Sequence, residues 1–154
     1  MKTILVLTLT PFVIAQPKSI AYTGTECIAS TTPHCGGFAA IAIPIAQSDT
    51  FSWTKIFQGA PSKSGLPASV TTTGLAKRLW TLPLGNVKLN VMGLGAVGAS
   101  QTATATTAAF NAGGGVDVSG LSKRWPWLRA WIGGLQEKAG SSQTRVTLGI
   151  GGSW

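Results

Sequence analysis

The chain ends in the stretch TRVTLGIGGSW (144–154), in which apolar residues alternate with polar or very small ones. Successive side chains of a β-strand point to opposite faces. The stretch therefore predicts a strand with one apolar face and one polar face that carries Arg145 and Thr147. The apolar positions are Val146, Leu148 and Ile150, followed by Trp154 at the end.

Similar alternation recurs upstream, and no sustained helical periodicity follows residue 21. We predict eight strands, the first of them the least distinct, over residues 21–29, 36–46, 50–58, 68–82, 86–99, 107–119, 126–137 and 144–154. The connections 47–49 and 83–85 are short, 59–67 and 100–106 are longer and polar, and 119–125 is longer than this pattern favours. An even strand number with short turns on one side is typical of an up-and-down outer-membrane barrel.

The composition indicates which face points inward. Charged residues make up only 10% of the chain, against about a quarter in soluble domains. The polar faces are therefore too weakly charged to cover a soluble barrel, but they suit a narrow lumen, so we predict that the apolar faces meet lipid. The alternative is a soluble secreted β-sandwich or barrel that binds a ligand or a surface. The predicted aromatic girdles contain Phe51, Trp53, Phe57, Trp80, Trp127 and Trp154.

The stretches AAFNAGGGVDV (108–118) and WLRAWIGGL (127–135), with a basic turn between them, resemble the closing strands of small outer-membrane β-barrel domains of Gram-negative bacteria. The C-terminal residues match the signature of that family at Val146, Leu148, Ile150 and Trp154. Gly152 departs from it, because an apolar side chain is usual there, and Trp154 replaces the commoner phenylalanine. The resemblance is to the OmpA/OmpX-like class of eight-stranded barrels, without a subfamily. It implies an outer-membrane location and recognition by the machinery that folds barrels into that membrane.

The N-terminus reads as an export signal. Lys2 precedes an apolar run over residues 4–15. This run is too short to span a bilayer as a helix, which takes about 20 residues. We predict a signal peptide over 1–21, cleaved near residue 15 or 21, and a barrel domain over 22–154. A buried first strand or helix is the alternative. In an exported chain, Cys27 and Cys35 then predict a disulfide across one hairpin.

Several site chemistries are disfavoured by the residues present. The net charge of +8 is scattered rather than arranged in a stripe, which argues against nucleic-acid binding. Residues 93–98 match G-x-G-x-x-G, but a threonine-rich stretch replaces the helix that a dinucleotide site needs. The single histidine, His34, argues against a zinc site. We therefore expect no catalysis, no cofactor and no metal.

Asp117 is the one acidic residue that lies inside a predicted strand on its polar face. Arg129 and Arg145 lie on the next two strands. Because buried charges need partners, we hypothesise a lumen cluster of Asp117 with Arg129, Arg145 and Lys88. The alternative is that each charge lies near a wet end of the barrel and is solvated.

The sequence therefore predicts a small barrel whose lumen is filled by side chains. Its expected role is structural, adhesive or that of a narrow pore, with the lipid bilayer and the barrel-assembly machinery as partners. The predicted binding loops are 30–35, 59–67, 100–106 and 138–143, and their ligand is not identified by the sequence.

Overall fold

The computed structural model describes residues 18–31, 33–46, 48–59 and 67–154, and the regular structure in these residues is all β. Each strand pairs antiparallel with the next, and the first pairs with the last, so the sheet closes into a barrel. Within the described residues, no helix is long and apolar enough to cross a bilayer. The strands are β1 (Ile20–Ile28), β2 (His34–Pro44), β3 (Thr50–Gly59), β4 (Ser69–Leu84), β5 (Val87–Gln101), β6 (Thr106–Ser119), β7 (Leu128–Ala139) and β8 (Ser141–Ser153).

All eight predicted strands are confirmed, with small differences at their ends. The largest difference is at β8, which begins at Ser141 rather than at residue 144. Gly140 alone connects β7 to β8 with a φ of 79°, a left-handed conformation that glycine adopts without steric cost. The binding loop predicted over 138–143 is therefore wrong, because the chain reverses there in a single residue.

We call the end of the barrel where β1 begins and β8 finishes the terminal end, and the opposite end the loop end. The loop end carries the connections 29–33, 60–68, 102–105 and 140, and the terminal end carries 45–49, 85–86 and 120–127. The predicted contrast between short turns and long loops is thus only partly correct, since 120–127 lies on the short-turn side. The predicted loops 30–35 and 100–106 are shorter than expected, and 59–67 falls largely on residues outside the described part.

The outer face of the barrel is mostly apolar, and the buried charges lie on the inner face. In β8, Leu148 and Ile150 are 55% and 65% exposed, whereas Arg145 is 0% exposed. The same outward exposure holds for Ile43, Ile56, Leu75, Val97, Phe110 and Ile132. This arrangement inverts that of a soluble barrel, as the composition predicted, and it answers which face of the terminal strand points inward.

The predicted aromatic girdle is correct for one set of residues and wrong for another. Trp80, Trp127 and Trp154 are exposed on the outside, as expected. Phe51, Trp53 and Phe57 instead point into the lumen and are almost fully buried. They share a face of β3 with Lys55, and because a charged side chain is costly on the lipid face, Lys55 places that whole face inside.

Candidate functional site: the barrel lumen

Aromatic rings fill the middle of the lumen. The rings of Tyr22, Trp53 and Trp131 lie with centroids 5.5–6.3 Å apart, and the Trp131 indole nitrogen donates to the Thr147 hydroxyl at 2.8 Å. Glycines make room for these rings, since a Cβ built on Gly133 would lie 2.7 Å from the Trp131 ring. The middle of the barrel is therefore a packed layer of side chains.

Between this aromatic layer and the terminal end lies a set of polar side chains around one carboxylate, which we call the Asp117 cluster (Tyr22, Asn90, Asp117 and Arg129). The Asp117 carboxylate accepts hydrogen bonds from the Tyr22 hydroxyl at 2.7 Å and from the Asn90 amide at 2.8 Å. Arg129 donates to it at 2.5 Å. Strands β1, β5, β6 and β7 each contribute one member, so the cluster joins elements from both halves of the barrel.

On the other side of the aromatic layer lie four mutually paired charges, which we call the loop-half quartet (Glu26, Lys55, Glu137 and Arg145). Lys55 donates to Glu26 at 2.6 Å. Arg145 bridges the two carboxylates, at 3.0 Å from Glu26 and 2.8 Å from Glu137. All four side chains are 0–1% exposed. Two cations and two anions balance, as buried charges require.

The loop-half quartet is covered toward the loop end by apolar side chains. Phe57, Val70 and Ala109 form a small buried cluster, and the guanidinium of Arg145 lies 4.6 Å from the centre of the Phe57 ring. With its amide nitrogen turned toward Glu137, Asn111 donates to that carboxylate at 3.2 Å. From the terminal end to the loop end, the lumen thus contains the Asp117 cluster, the aromatic layer, the loop-half quartet and the small apolar cluster.

The hypothesis of one charge cluster is correct for Asp117 and Arg129 only. The structure places Arg145 beside Glu26 and Glu137 instead, because the β1–β8 register brings Glu26 opposite Thr147. Lys88 is exposed, since it lies near the start of β5 at the terminal end and opposite Ser119. The lumen therefore contains two clusters where the sequence predicted one.

Sequence reasoning missed four charged residues of the lumen, one of them Arg78 at its terminal mouth, and two of the four left a readable signal. Glu137 has the same parity in β7 as Arg129 and Trp131, so an inward side chain was deducible. Lys55 interrupts an otherwise aromatic face of β3. Glu26 lies in the strand whose pattern was least distinct, so nothing in the local sequence set it apart.

The remaining candidate residues lie outside these clusters. Cys27 and Cys35 are direct partners across β1 and β2, and a disulfide joins them. No group of three or more potential metal ligands occurs within the described ranges. The G-x-G-x-x-G stretch, residues 93–98, lies within β5, and no helix follows it. The predicted signal peptide falls mainly on residues 1–17, outside the described part of the chain.

Two of the lumen carboxylates, Glu26 and Glu137, are paired with cations and enclosed by other side chains. Glu26 and Glu137 share Arg145 and are buried under the apolar cluster of Phe57, Val70 and Ala109. A pair of carboxylates working as acid and base must reach a substrate from two sides, and here both are enclosed. The chemistry that the arrangement supports is the cross-linking of strands by buried ion pairs.

Of the comparisons with known proteins, the one with solved structures bears on the fold. No family model matches the sequence, and no curated protein matches it. Among solved structures, the chain is similar to Ail, the attachment invasion locus protein of Yersinia pestis, with a TM-score of 0.53. The two are 11% identical, over 90% of this chain and 99% of that one. At this identity the likeness concerns the fold, and it confirms the eight-stranded barrel class predicted from the sequence.

Proposed function

We propose that this protein is an integral barrel of a Gram-negative outer membrane, with a structural or adhesive role and a lumen closed to solutes. One observation carries the proposal: the barrel buries paired charges in its lumen and exposes aliphatic side chains on strand after strand outside. Such a surface is unfavourable in water, and on a protein a large exposed apolar patch marks a site of contact with another protein or with a membrane. A barrel whose outer face is mostly apolar all round is suited to the hydrocarbon of a bilayer. A closed barrel also satisfies its backbone hydrogen bonds internally, as a bilayer requires.

The filled lumen supports a role other than transport. The aromatic layer and the loop-half quartet lie in succession along the axis, and an eight-stranded barrel is only wide enough for side chains. A narrow ion pathway is the second candidate, suggested by the lumen charges. The pairing of those charges with one another disfavours it, because an ion would have to displace Arg145 or Lys55 from its partner.

An adhesive role would reside at the loop end. In outer-membrane barrels the longer loops face outward and the turns face the periplasm, and the connection between β3 and β4, residues 60–68, is the longest at the loop end. The similar fold of Ail, whose name describes attachment and invasion, supports adhesion as the class of role. We propose that the protein has no catalytic role. The attachment experiment below tests whether the loops bind a ligand.

Assembly would depend on the outer face of the last strand. Val146, Leu148, Ile150 and Trp154 are all exposed there, so they are available to the machinery that folds barrels. The proposed signal-peptide cleavage near residue 15 leaves β1 intact, whereas cleavage after Ala21 would remove Ile20, which is 2% exposed and part of the strand. We therefore propose the earlier site.

Membrane fractionation of the expressed protein, with gels run before and after boiling, tests the proposal. We expect recovery in the outer membrane and faster migration without boiling, because the closed barrel resists detergent. The same preparation in a planar bilayer should show no steady conductance. A water-soluble product with no heat shift would contradict the membrane assignment, and stable single-channel currents would contradict the closed lumen.

Replacing residues 60–66 with a glycine–serine segment of equal length tests the adhesive role. The change should lower the attachment of expressing cells to host-cell surfaces while the heat-shifted band remains. A matched replacement of residues 121–124 at the terminal end is the control and should leave attachment unchanged. Equal attachment by both variants would leave the structural role as the supported one.

A further inference from the structure

The chain's positive charge is distributed unevenly along the barrel axis. Only four acidic side chains are present, and each is ion-paired. Glu26, Asp117 and Glu137 lie inside the lumen, and Asp49 pairs with Arg78 at the terminal mouth of the lumen, where the Arg78 guanidinium lies 5.6 Å from the centre of the Phe51 ring. The lumen is therefore electrically balanced, and no acidic side chain remains to neutralise the other cations. The excess positive charge of +8 must come from cations elsewhere.

Most of the unpaired cations in the described part of the chain lie at the terminal end. Lys77 is exposed on the outer face of β4 opposite Thr50, the first residue of β3. Among the described residues, the one other exposed lysine on the outer face of a strand is Lys138, near the loop end. We call the terminal group the terminal cationic belt: Lys18, Lys77, Lys123 and Arg124, all exposed. Lys88 is also exposed at this end, but it lies on the inward face of β5 with Asn90 and is not part of the belt.

The exposed tryptophans lie at the same end as the terminal cationic belt. Two of the six tryptophans, Trp53 and Trp131, are buried in the lumen, and the other four are 50–65% exposed. These four are Trp80, Trp125, Trp127 and Trp154, which lie near the β4–β5 turn, in the connection 120–127 and after β8. The guanidinium of Arg124 lies 5.9 Å from the centre of the Trp125 ring.

Tryptophan side chains settle at the headgroup level of a bilayer, because the ring is apolar and its N–H is polar. Lysine and arginine side chains beside them extend their charges to the same level. At that depth the groups of opposite charge are the phosphates of lipid headgroups, with which lysine and arginine form charge-assisted hydrogen bonds. A matching belt is absent from the described part of the loop end.

We propose that the terminal cationic belt binds the headgroups of anionic glycerophospholipids and so gives the barrel a preference for one lipid class at one membrane face. This inference rests on the proposed membrane function. On that proposal, the terminal end faces the periplasm and the belt lies in the phospholipid leaflet on that side. Asp49, the exposed acidic side chain at this end, is already paired with Arg78, so the belt keeps its excess positive charge. The attraction of the belt for anionic headgroups should weaken with ionic strength as the Debye length shortens.

Quenching of tryptophan fluorescence by brominated lipids tests the preference directly, because the four exposed tryptophans lie within the belt. The whole protein is inserted into vesicles that contain phosphatidylcholine and phosphatidylglycerol, with one or the other brominated. The measured quantity is the ratio of the association constant for phosphatidylglycerol to that for phosphatidylcholine. We expect this ratio to be roughly two to five, because each interfacial cation attracts anionic lipid. The ratio should approach one in molar salt.

Two matched substitutions locate the effect. Lys77→Gln and Lys138→Gln each remove one exposed, outward-facing strand lysine, the first at the terminal end and the second near the loop end. We expect Lys77→Gln to lower the lipid ratio and Lys138→Gln to leave it unchanged. A triple variant with Lys77, Lys123 and Arg124 all changed to glutamine should bring the ratio close to one.

A ratio near one in the unsubstituted protein, or an equal effect of Lys77→Gln and Lys138→Gln, would overturn the proposal. Loss of the preference in inorganic phosphate, but not in chloride of equal ionic strength, would assign the belt to free phosphate and would also overturn it. Heat-shift gels on the same vesicles separate this failure from failure of the membrane function. Inserted barrels without lipid preference would refute only the belt, whereas absence of insertion would refute both.

Discussion

The Asp117 cluster and the loop-half quartet accommodate buried charge in different ways. The quartet consists of charges alone, two of each sign, with every side chain 0–1% exposed. The Asp117 cluster contains one carboxylate, two neutral hydrogen-bond donors, and one guanidinium that is 14% exposed. One cluster therefore depends on charge balance, and the other on hydrogen bonds to a single acid.

This difference predicts how each half of the barrel responds to the loss of one member. In the quartet, removal of a cation leaves two buried carboxylates with one cation, so one negative charge is unbalanced in a site that water does not reach. In the Asp117 cluster, the acid keeps its neutral donors when the cation is lost, and the cation can be solvated when the acid is lost. Breaking a buried pair is costly mainly because of the charge that remains, so the quartet should be the more sensitive region.

The largest effect is expected from Arg145→Met. The substitution leaves Glu26 and Glu137 with Lys55 as the one remaining cation of the quartet, so one negative charge is buried unpaired. We expect a loss of about 3–5 kcal/mol in the free energy of unfolding, measured by urea unfolding of the barrel in lipid vesicles.

Combining Arg145→Met with Glu137→Gln restores charge balance, since Glu26 and Lys55 then remain as a pair. The double variant should therefore be more stable than Arg145→Met alone, although it lacks two charges. If the second substitution instead lowers the free energy of unfolding further, the quartet does not depend on charge balance.

A smaller effect is expected from Asp117→Ala, because Arg129 lies near the terminal end and is partly exposed. The change removes three hydrogen bonds to one acid, including those from Tyr22 and Asn90. We expect a loss of about 2 kcal/mol, seen as a lower unfolding midpoint in detergent. An unchanged midpoint, or a loss larger than that of Arg145→Met, would reverse the comparison between the two regions.

Alternation in the sequence shows which residues share a face of a strand, but not how far along the barrel axis a residue lies. Arg145 was assigned correctly to the lumen and incorrectly to Asp117. Its partner Glu26 is 119 positions away in the sequence. Axial position follows from the register of every strand pair around the ring, and a shift of register is not visible in the pattern of one strand.

The faces of β3 show a second limit. Phe51, Trp53 and Phe57 were assigned to the lipid face because aromatic residues are expected there. In this narrow barrel the same residues fill the lumen beside inward-facing glycines such as Gly36, where a Cβ would lie 2.7 Å from the Phe57 ring. Hydrophobicity therefore fails to separate lumen from lipid here, whereas the position of a charge such as Lys55 separates them correctly.

The aromatic layer between the two clusters gives the next prediction. Gly133→Ala would place a Cβ 2.7 Å from the Trp131 ring and 2.8 Å from the Thr147 hydroxyl, so that ring must shift. We expect a loss of about 1–3 kcal/mol from overpacking, together with a change in the near-ultraviolet circular dichroism of the tryptophans.

Gly134→Ala is the matched control for this substitution. The neighbouring glycine points outward, and nothing lies within 4 Å of a Cβ built there, so its effect should stay within about 0.5 kcal/mol. If both alanines are tolerated equally, the layer is loosely packed, and the two clusters are not separated by a rigid barrier.

The smallest effect is expected at the terminal mouth of the lumen, at the pair of Asp49 and Arg78. Their side chains lie 3.0 Å apart, a separation like those in the quartet, but they are 62% and 25% exposed. Asp49→Asn should change the free energy of unfolding by less than about 1 kcal/mol, because water solvates both groups and salt screens them. Measured in the same vesicles as Arg145→Met, it isolates burial as the variable, since ion-pair distance is nearly constant between the two sites. A loss as large as that of Arg145→Met would mean that pairing alone, rather than enclosure in the lumen, sets the sensitivity of each cluster.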